Sequence, residues 1–352
     1  MKGSLKLSMV LLLALFIATG AFIAGCTSQQ TTTPATTTPV ATTAAPTTAA
    51  PSTLVIATTT SLYDTGLLNY LEPIFEKKYN VDLKITSQGT GKAIELAKAG
   101  DADVLLVHSP TQELDFLKGG NGLNRRSFAS NYFEIVGPAD DPAGIKNMTP
   151  EAAFTTLYTK GTNKTVGIYF VSRGDNSGTH SAEKTVWKNA GYNYTAKVEN
   201  SGAWYIEAGK GMGETLQMAS EKKAYALTDE GTFLAYKSNL TLVPVVTSGK
   251  SMLNVYSVMT VYNDKQPADK IAMANNFVNF LISNETQAQI GQFGVDKYGK
   301  SLFTPMSVSV PDAPAGWVAD HTTPATAVKP AVNASATTAA ATTAAAAATT
   351  AK

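Results

Sequence analysis

Cysteine is almost absent. The 352-residue chain has one, Cys26, so no internal disulfide can form and thiol catalysis has no site in the folded part. Histidine is nearly as scarce, with three in all, and no zinc-type spacing of Cys and His occurs. Charged residues make up only 16%, with 28 basic against 27 acidic, which leaves none of the broad basic surface that nucleic acid requires. Beyond the first residues no apolar run is long enough to span a bilayer.

What is present starts at the N-terminus. Lys2 and Lys6 precede an apolar run from Leu7 to Ile17, and Ile23-Ala24-Gly25-Cys26 follows. This is the pattern of a secretory signal over 1–25 with a lipid-accepting Cys26, so the protein is expected outside the cytoplasm, anchored to the outer face of the cell membrane. Residues 26–52 are rich in Thr, Ala and Pro and read as a stalk, and 307–352 read as a low-complexity tail. Neither holds enough apolar surface to offset the entropy of ordering. Sequons at Asn163, Asn193, Asn239, Asn284 and Asn333 fit a glycosylated exported protein. Without Lys2 and Lys6 the balance is 26 basic to 27 acidic residues, so an anionic ligand would need a local site rather than a general field.

The run Phe170 to His180 supplies such a site. Arg173 and the Ser177-Gly178-Thr179 helix start lie between a strand carrying Val166, Ile168 and Phe170 and a helix carrying Ala182, Val186, Trp187 and Ala190. Free N–H groups and the positive end of the dipole at such a helix start attract small anions. An arginine adds a planar fork suited to a tetrahedral oxyanion. Two more turns share the chemistry: Thr58 to Ser61 after the strand Leu54–Ala57, and Ser87 to Gly91 after the alternating Val81, Leu83 and Ile85. Strand and helix signals alternate through 53–306, which implies an α/β fold with largely parallel sheets. Ligands in such sheets bind beyond the carboxyl ends of strands.

Two enzyme readings fail on their own residues. Gly174-Asp175-Asn176-Ser177-Gly178 departs from the serine-protease motif at Asn176, and no histidine has a protease context. Gly89-Thr90-Gly91-Lys92 would need a glycine at 86 and a hydroxyl at 93 to be a phosphate loop, where the chain has Thr86 and Ala93. No catalytic residue or cofactor is expected. Arg125-Arg126 reads as a salt-bridging pair, and Thr228-Asp229 as a lesser candidate for the cleft wall.

The chain resembles the tungstate-binding receptors of the Tup-type ABC importers. The resemblance rests on ATTTSLYDTGLL from Ala57, SQGTGKAIELAKAGDADVLLVHSP from Ser87 and GLNRRSFASNYFEIVGPADDPAGI from Gly122. It continues through FVSRGDNSGTH from Phe170, GMGETLQMASEKKAYALTDEGTFLA from Gly211 and NVYSVMTVYN from Asn254. It implies a two-lobed type II periplasmic-binding-protein fold with two crossover strands, near Tyr132 to Gly137 and near Val255 to Tyr262. Lobe one would comprise 53–132 and 256–306, and lobe two 133–255. It further implies oxyanion contacts at Thr60, Ser61, Thr90, Gly91, Arg173, Ser177, Gly178 and Thr179. The ligand would be tungstate or molybdate, and the partners an ABC permease and its ATPase. The Arg-X-X-X-Ser-Gly-Thr spacing also resembles phosphate receptors, and an oxyanion sensor not coupled to transport would use the same fold.

Overall fold

Leu54 and Ile56 draw the first strand, β1 (Ser52–Thr59), into the core, where both are fully buried. The computed structural model describes residues 50–306 and 324–329; the signal segment, Cys26, nearly all of the stalk, Asn333 and the rest of the tail lie outside the described residues. After β1 come α1 (Thr60–Tyr63), α2 (Leu67–Tyr79), β2 (Val81–Gln88), α3 (Thr90–Ala99), β3 (Val104–Val107), α4 (Pro110–Lys118) and β4 (Gly122–Gly137). The chain continues with α5 (Pro150–Thr162), β5 (Phe170–Ser172), α6 (Gly178–Asn189), β6 (Tyr205–Glu207), α7 (Met212–Glu221), β7 (Ala226–Asp229), α8 (Glu230–Tyr236) and β8 (Val243–Val246). It closes with β9 (Leu253–Val261), α9 (Ala268–Ile282), α10 (Asn284–Gln292), α11 (Val295–Tyr298) and β10 (Thr304–Pro305).

β1 lies between β2 and β3 and is parallel to both, so the three carboxyl ends emerge on one side. The sheet is less parallel than the alternation of elements implies. β9 runs antiparallel to β3, and β4 antiparallel to β9, β7, β8 and β10. Most of the antiparallel pairs share the long strand β4. It pairs with β9 as far as Tyr132 and then with β7 from Phe133, so one strand serves two regions of sheet.

The hydrophobic clusters divide at the same place. Phe128, Ala129 and Tyr256 belong with β1–β3 and α9, whereas Phe133 and Ile135 belong with α5, α6 and Trp187. On α9 the side chains Ile271, Ala274, Val278 and Leu281 recur at helical spacing and are buried, each larger one contributing roughly 1.5–3 kcal/mol. The strand expected from Val166 onward is shorter, because Val166 is 94% exposed and only Phe170–Ser172 are paired. Four of the sequon asparagines, Asn163, Asn193, Asn239 and Asn284, are exposed.

One segment departs from the low-complexity reading of 307–352. Ala325 is buried in the β1–α9 cluster. Asn279 Oδ1 accepts from its N–H (2.6 Å) and Asn279 Nδ2 donates to its carbonyl (3.2 Å). Asn124 and Asn275 grip Ala327 in the same manner. Three asparagines read main chain, so the recognition needs no large apolar side chain, only a small residue at 325.

Candidate functional site

Each proposed contact sits where a strand ends and a helix begins. Thr60 and Ser61 open α1 after β1, whose last residue Thr59 caps that helix by accepting from Leu62 N–H. Thr90 opens α3, which has no side-chain cap. Ser177 caps α6 by accepting from His180 N–H (3.1 Å). Ser61, Thr90, Ser177, Thr179 and Arg173 are all buried, Arg173 to 1% exposure.

Arg173 bridges the first two segments. Its Nη1 donates to Thr60 Oγ1 (3.1 Å) and Ser61 Oγ (3.4 Å), across 113 residues of sequence in the first case. Thr60 Oγ1 also accepts from Met212 N–H at 3.4 Å. A hydroxyl that accepts in this way keeps its own hydrogen to donate. Nη2 of Arg173 pairs with Asp175 Oδ2, and Asp175 Oδ1 accepts from Ser177 N–H (3.1 Å). Both oxygens of Asp175 are therefore engaged, and its part is to hold the guanidinium rather than to accept from a ligand.

Gly91 is where the expectation needs correcting. Its N–H donates to Asn176 carbonyl oxygen (3.3 Å), so that amide is not free for an anion. A Cβ there would lie 2.8 Å from Asn176 Nδ2, and the glycine serves the close approach of α3 to the 173–177 turn.

Five buried polar atoms at these strand ends have no hydrogen-bond partner: Thr58 Oγ1, Thr90 Oγ1, Thr179 Oγ1, Arg173 Nε and His108 Nε2. Buried donors are normally satisfied, and each orphan costs about 1–3 kcal/mol. The hydroxyls and the guanidinium N–H are donors, and together they suit an oxyanion.

Of these atoms, that of His108 lies outside every turn named from the sequence, and that of Thr58 lies within the hydroxyl turn but was not singled out. His108 follows β3 as Thr60 follows β1, in a fourth turn of the same kind: the buried run Val104–Val107, then His108-Ser109, then Pro110 opening α4. That pattern was the available signal. Burial pushes the His108 imidazole down to about 4. Asp64, beyond the hydroxyl turn, is pushed up to about 6 by burial, against a bond from Gly213 N–H and the attraction of Arg173.

Arg125, Asp229, Asp103 and His180 have structural work. Arg125 pairs with the fully buried Glu113 (2.8 Å). Asp229 caps α8 and accepts from Thr232, whose hydroxyl also donates to Ser61 carbonyl oxygen (3.1 Å). Asp103 accepts from Val55 N–H (2.8 Å), and His180 is held by Asn176 N–H (3.0 Å) and Tyr194 (2.9 Å). Behind the turn, Glu183 accepts from Ser172 (2.5 Å), Tyr205 (2.6 Å) and Trp187 (3.1 Å), and burial raises it to about 7. This network ties β5 to α6, so the loop that carries Arg173 is fixed at both ends. A cavity of about 390 Å³ adjoins His108 and Gly178 between α4, α6 and β9, and neither Arg173 nor the hydroxyl turn lines it.

Comparison with known proteins gives one consistent answer. A family model for the PBP superfamily domain matches residues 29–285. A Haloferax volcanii protein described as an ABC transporter anion-binding protein is 46% identical over 72% of this chain and 72% of its own. The tungstate-binding protein TupA of Peptoclostridium acidaminophilum is 40% identical over 71% of this chain and 85% of its own. Among solved structures, the tungstate ABC transporter protein of Geobacter sulfurreducens is 42% identical, covering 68% of this chain and 98% of that one with a TM-score of 0.60.

Proposed function

Because the chain belongs to the PBP superfamily and, within it, to the family of the TupA tungstate-binding proteins, we propose that it is the extracytoplasmic tungstate receptor of an ABC importer. The observation that carries this reading is the orphaned donor set at the strand ends, Arg173 Nε with the hydroxyls of Thr58, Thr90 and Thr179. Tungstate is a dianion without a proton near neutral pH, and a site for it should consist mainly of donors. Thr60, Ser61, Thr90 and Thr58 would contribute from lobe one. Arg173 Nε, Ser177, the α6 start at Gly178 and Thr179 would contribute from lobe two. Molybdate, nearly the same in charge and size, is the expected second ligand.

Contacts from both lobes make the anion bind a closed arrangement better than an open one, so binding shifts the population toward closure. The permease and its ATPase would then read the closed form, and the receptor itself performs no chemistry. Lobe one is assigned 53–132 and 256–306, and lobe two 133–255. Among the described residues no helix is long and apolar enough to cross a membrane. Anchoring is assigned to a lipid on Cys26, and Cys26→Ser should release the protein from membranes.

Thermal unfolding of the mature chain with tungstate, molybdate, sulfate and phosphate in turn tests the ligand. At about a thousand times its dissociation constant a ligand stabilises by roughly 4 kcal/mol, a shift of about 8–16 °C for a protein of this size. Shifts with tungstate and molybdate support the proposal. A shift with phosphate alone transfers the site to a phosphate receptor, and no shift at all refutes an oxyanion site.

A further inference from the structure

His108 is built into its place from three sides. Its ring stacks on Tyr256 (centroids 4.8 Å apart, 24° between planes) and on Phe133 (6.1 Å, 29°). The third side is Gly178, the first residue of α6, where a Cβ would lie 2.6 Å from Nε2 and Cε1 of the ring. Lacking that Cβ, α6 lets the Nε2 edge come against the helix start, one residue from the partnerless hydroxyl of Thr179.

The remaining nitrogen is fixed by a relay. Asn131 Nδ2 donates to Asp229 Oδ1 (3.2 Å), Asn254 Nδ2 donates to Asn131 Oδ1 (2.8 Å), and Asn254 Oδ1 lies 2.8 Å from His108 Nδ1. Starting from a carboxylate that can only accept, each amide has one orientation. Asn254 therefore presents an oxygen to His108, and the ring hydrogen sits on Nδ1. Nε2 is left as a bare lone pair, buried and without a partner. In the neutral ring this is an acceptor set among donors, and an oxyanion oxygen brought to it would be repelled.

Resting on the reading of this cleft as a tungstate site, we propose that His108 Nε2 contacts the bound anion and that each dianion bound is accompanied by one proton taken from solvent onto that nitrogen. The proton converts the acceptor into a charged donor, the Nδ1–H bond to Asn254 is retained, and the Asn131–Asp229 chain spreads the new charge toward a buried carboxylate. The charges facing the ring are Arg173, which opposes protonation, and Asp175, which favours it. Lys184 and Lys250 line the adjoining cavity. The dianion supplies the additional negative charge that decides the balance. In the free protein, burial holds the imidazole neutral well below neutral pH, so the proton arrives with the ligand. Monohydrogen phosphate already carries a proton and can donate it to Nε2, so its binding would need none.

The test is titration calorimetry of the mature chain with sodium tungstate near pH 7 in buffers of differing ionisation enthalpy. The buffer dependence should give about one proton absorbed per tungstate, and Kd should rise up to about tenfold per unit of pH. His108→Gln should bind with no proton absorbed, and Asn254→Asp, which places a carboxylate on Nδ1, should absorb less than the wild type. Zero uptake in the wild-type protein overturns the proposal. Equal uptake in wild type and His108→Gln also overturns it and moves the proton elsewhere, Asp64 being the next candidate. Where His108→Gln does not fold, the histidine ¹⁵N shifts of the wild-type protein decide. Conversion of Nε2 from bare to protonated on adding tungstate supports the assignment, and an unchanged shift refutes it. Absence of any tungstate binding removes the functional reading itself, which is a separate result from binding without a proton.

Discussion

Removing the guanidinium with Arg173→Ala tests the site most directly, and the structure sets the size of the effect. Two of the three guanidinium nitrogens are occupied within the protein, Nη1 by Thr60 and Ser61 and Nη2 by Asp175, while Nε–H has no partner. Counting the partnerless Nε–H alone, the anion gains one new charged hydrogen bond from this residue, about 1.5–3 kcal/mol. That corresponds to a loss of roughly 13- to 160-fold in tungstate affinity. The same substitution strips the cation from Asp175, whose side chain is 12% exposed. Breaking a buried pair costs about 3–5 kcal/mol, so the apo protein should melt roughly 6–20 °C lower. Affinity must accordingly be measured by calorimetry well below the variant's own transition. Arg173→Lys retains a charge for Asp175 but not the three-nitrogen fork, and should recover part of the stability while leaving affinity depressed by about tenfold. Wild-type affinity in folded Arg173→Ala would refute the contact. A loss beyond about ten-thousandfold would refute the single-bond account, because one hydrogen bond cannot supply it.

Two further outcomes are expected. Gly178→Ala places a Cβ 2.6 Å from a ring clamped by Tyr256 and Phe133, which should cost about 1–3 kcal/mol of overpacking. A melting temperature and a tungstate affinity both equal to wild type would show that the His108 ring is free to move. Asn279→Ala removes both hydrogen bonds to Ala325, each contributing about 0.5–1.5 kcal/mol. Hydrogen exchange at Ala325 and Ala327 should accelerate with tungstate affinity unchanged, and unaltered protection would show that the clamp does not hold the segment.

Much of the architecture is legible in the sequence, because it is written in local periodicity. The helix faces of α7 and α9, the Thr149-Pro150-Glu151 start of α5 and the hydroxyl-rich turns after β1, β2 and β5 all follow from residues a few positions apart. Where local reading fails, the competing effect comes from outside the segment. Val166 has the right spacing for a strand but no neighbour to pair with, and the antiparallel direction of β4 and β9 is set by partners far away in sequence. Ala325 lies in a stretch of composition that looks unable to pack. It packs because Asn124, Asn275 and Asn279 recognise its backbone rather than its side chains.

The site divides along the same line. The sequence by itself determined which chemical groups stand at each strand end, since hydroxyls, glycines and one arginine in short turns are properties of neighbouring residues. Only the tertiary structure decided which of those groups are already spent. The amide of Gly91 is consumed by Asn176, Asp175 by Arg173 and Ser177, and Nδ1 of His108 by Asn254 across 146 residues. A hydrogen bond depends on distance in space, and the parallel order of β2, β1 and β3 sets that distance by bringing separate turns to one edge. Composition and spacing can therefore name the donors, but only their arrangement leaves Arg173 Nε, the threonine hydroxyls and His108 Nε2 without partners in the protein.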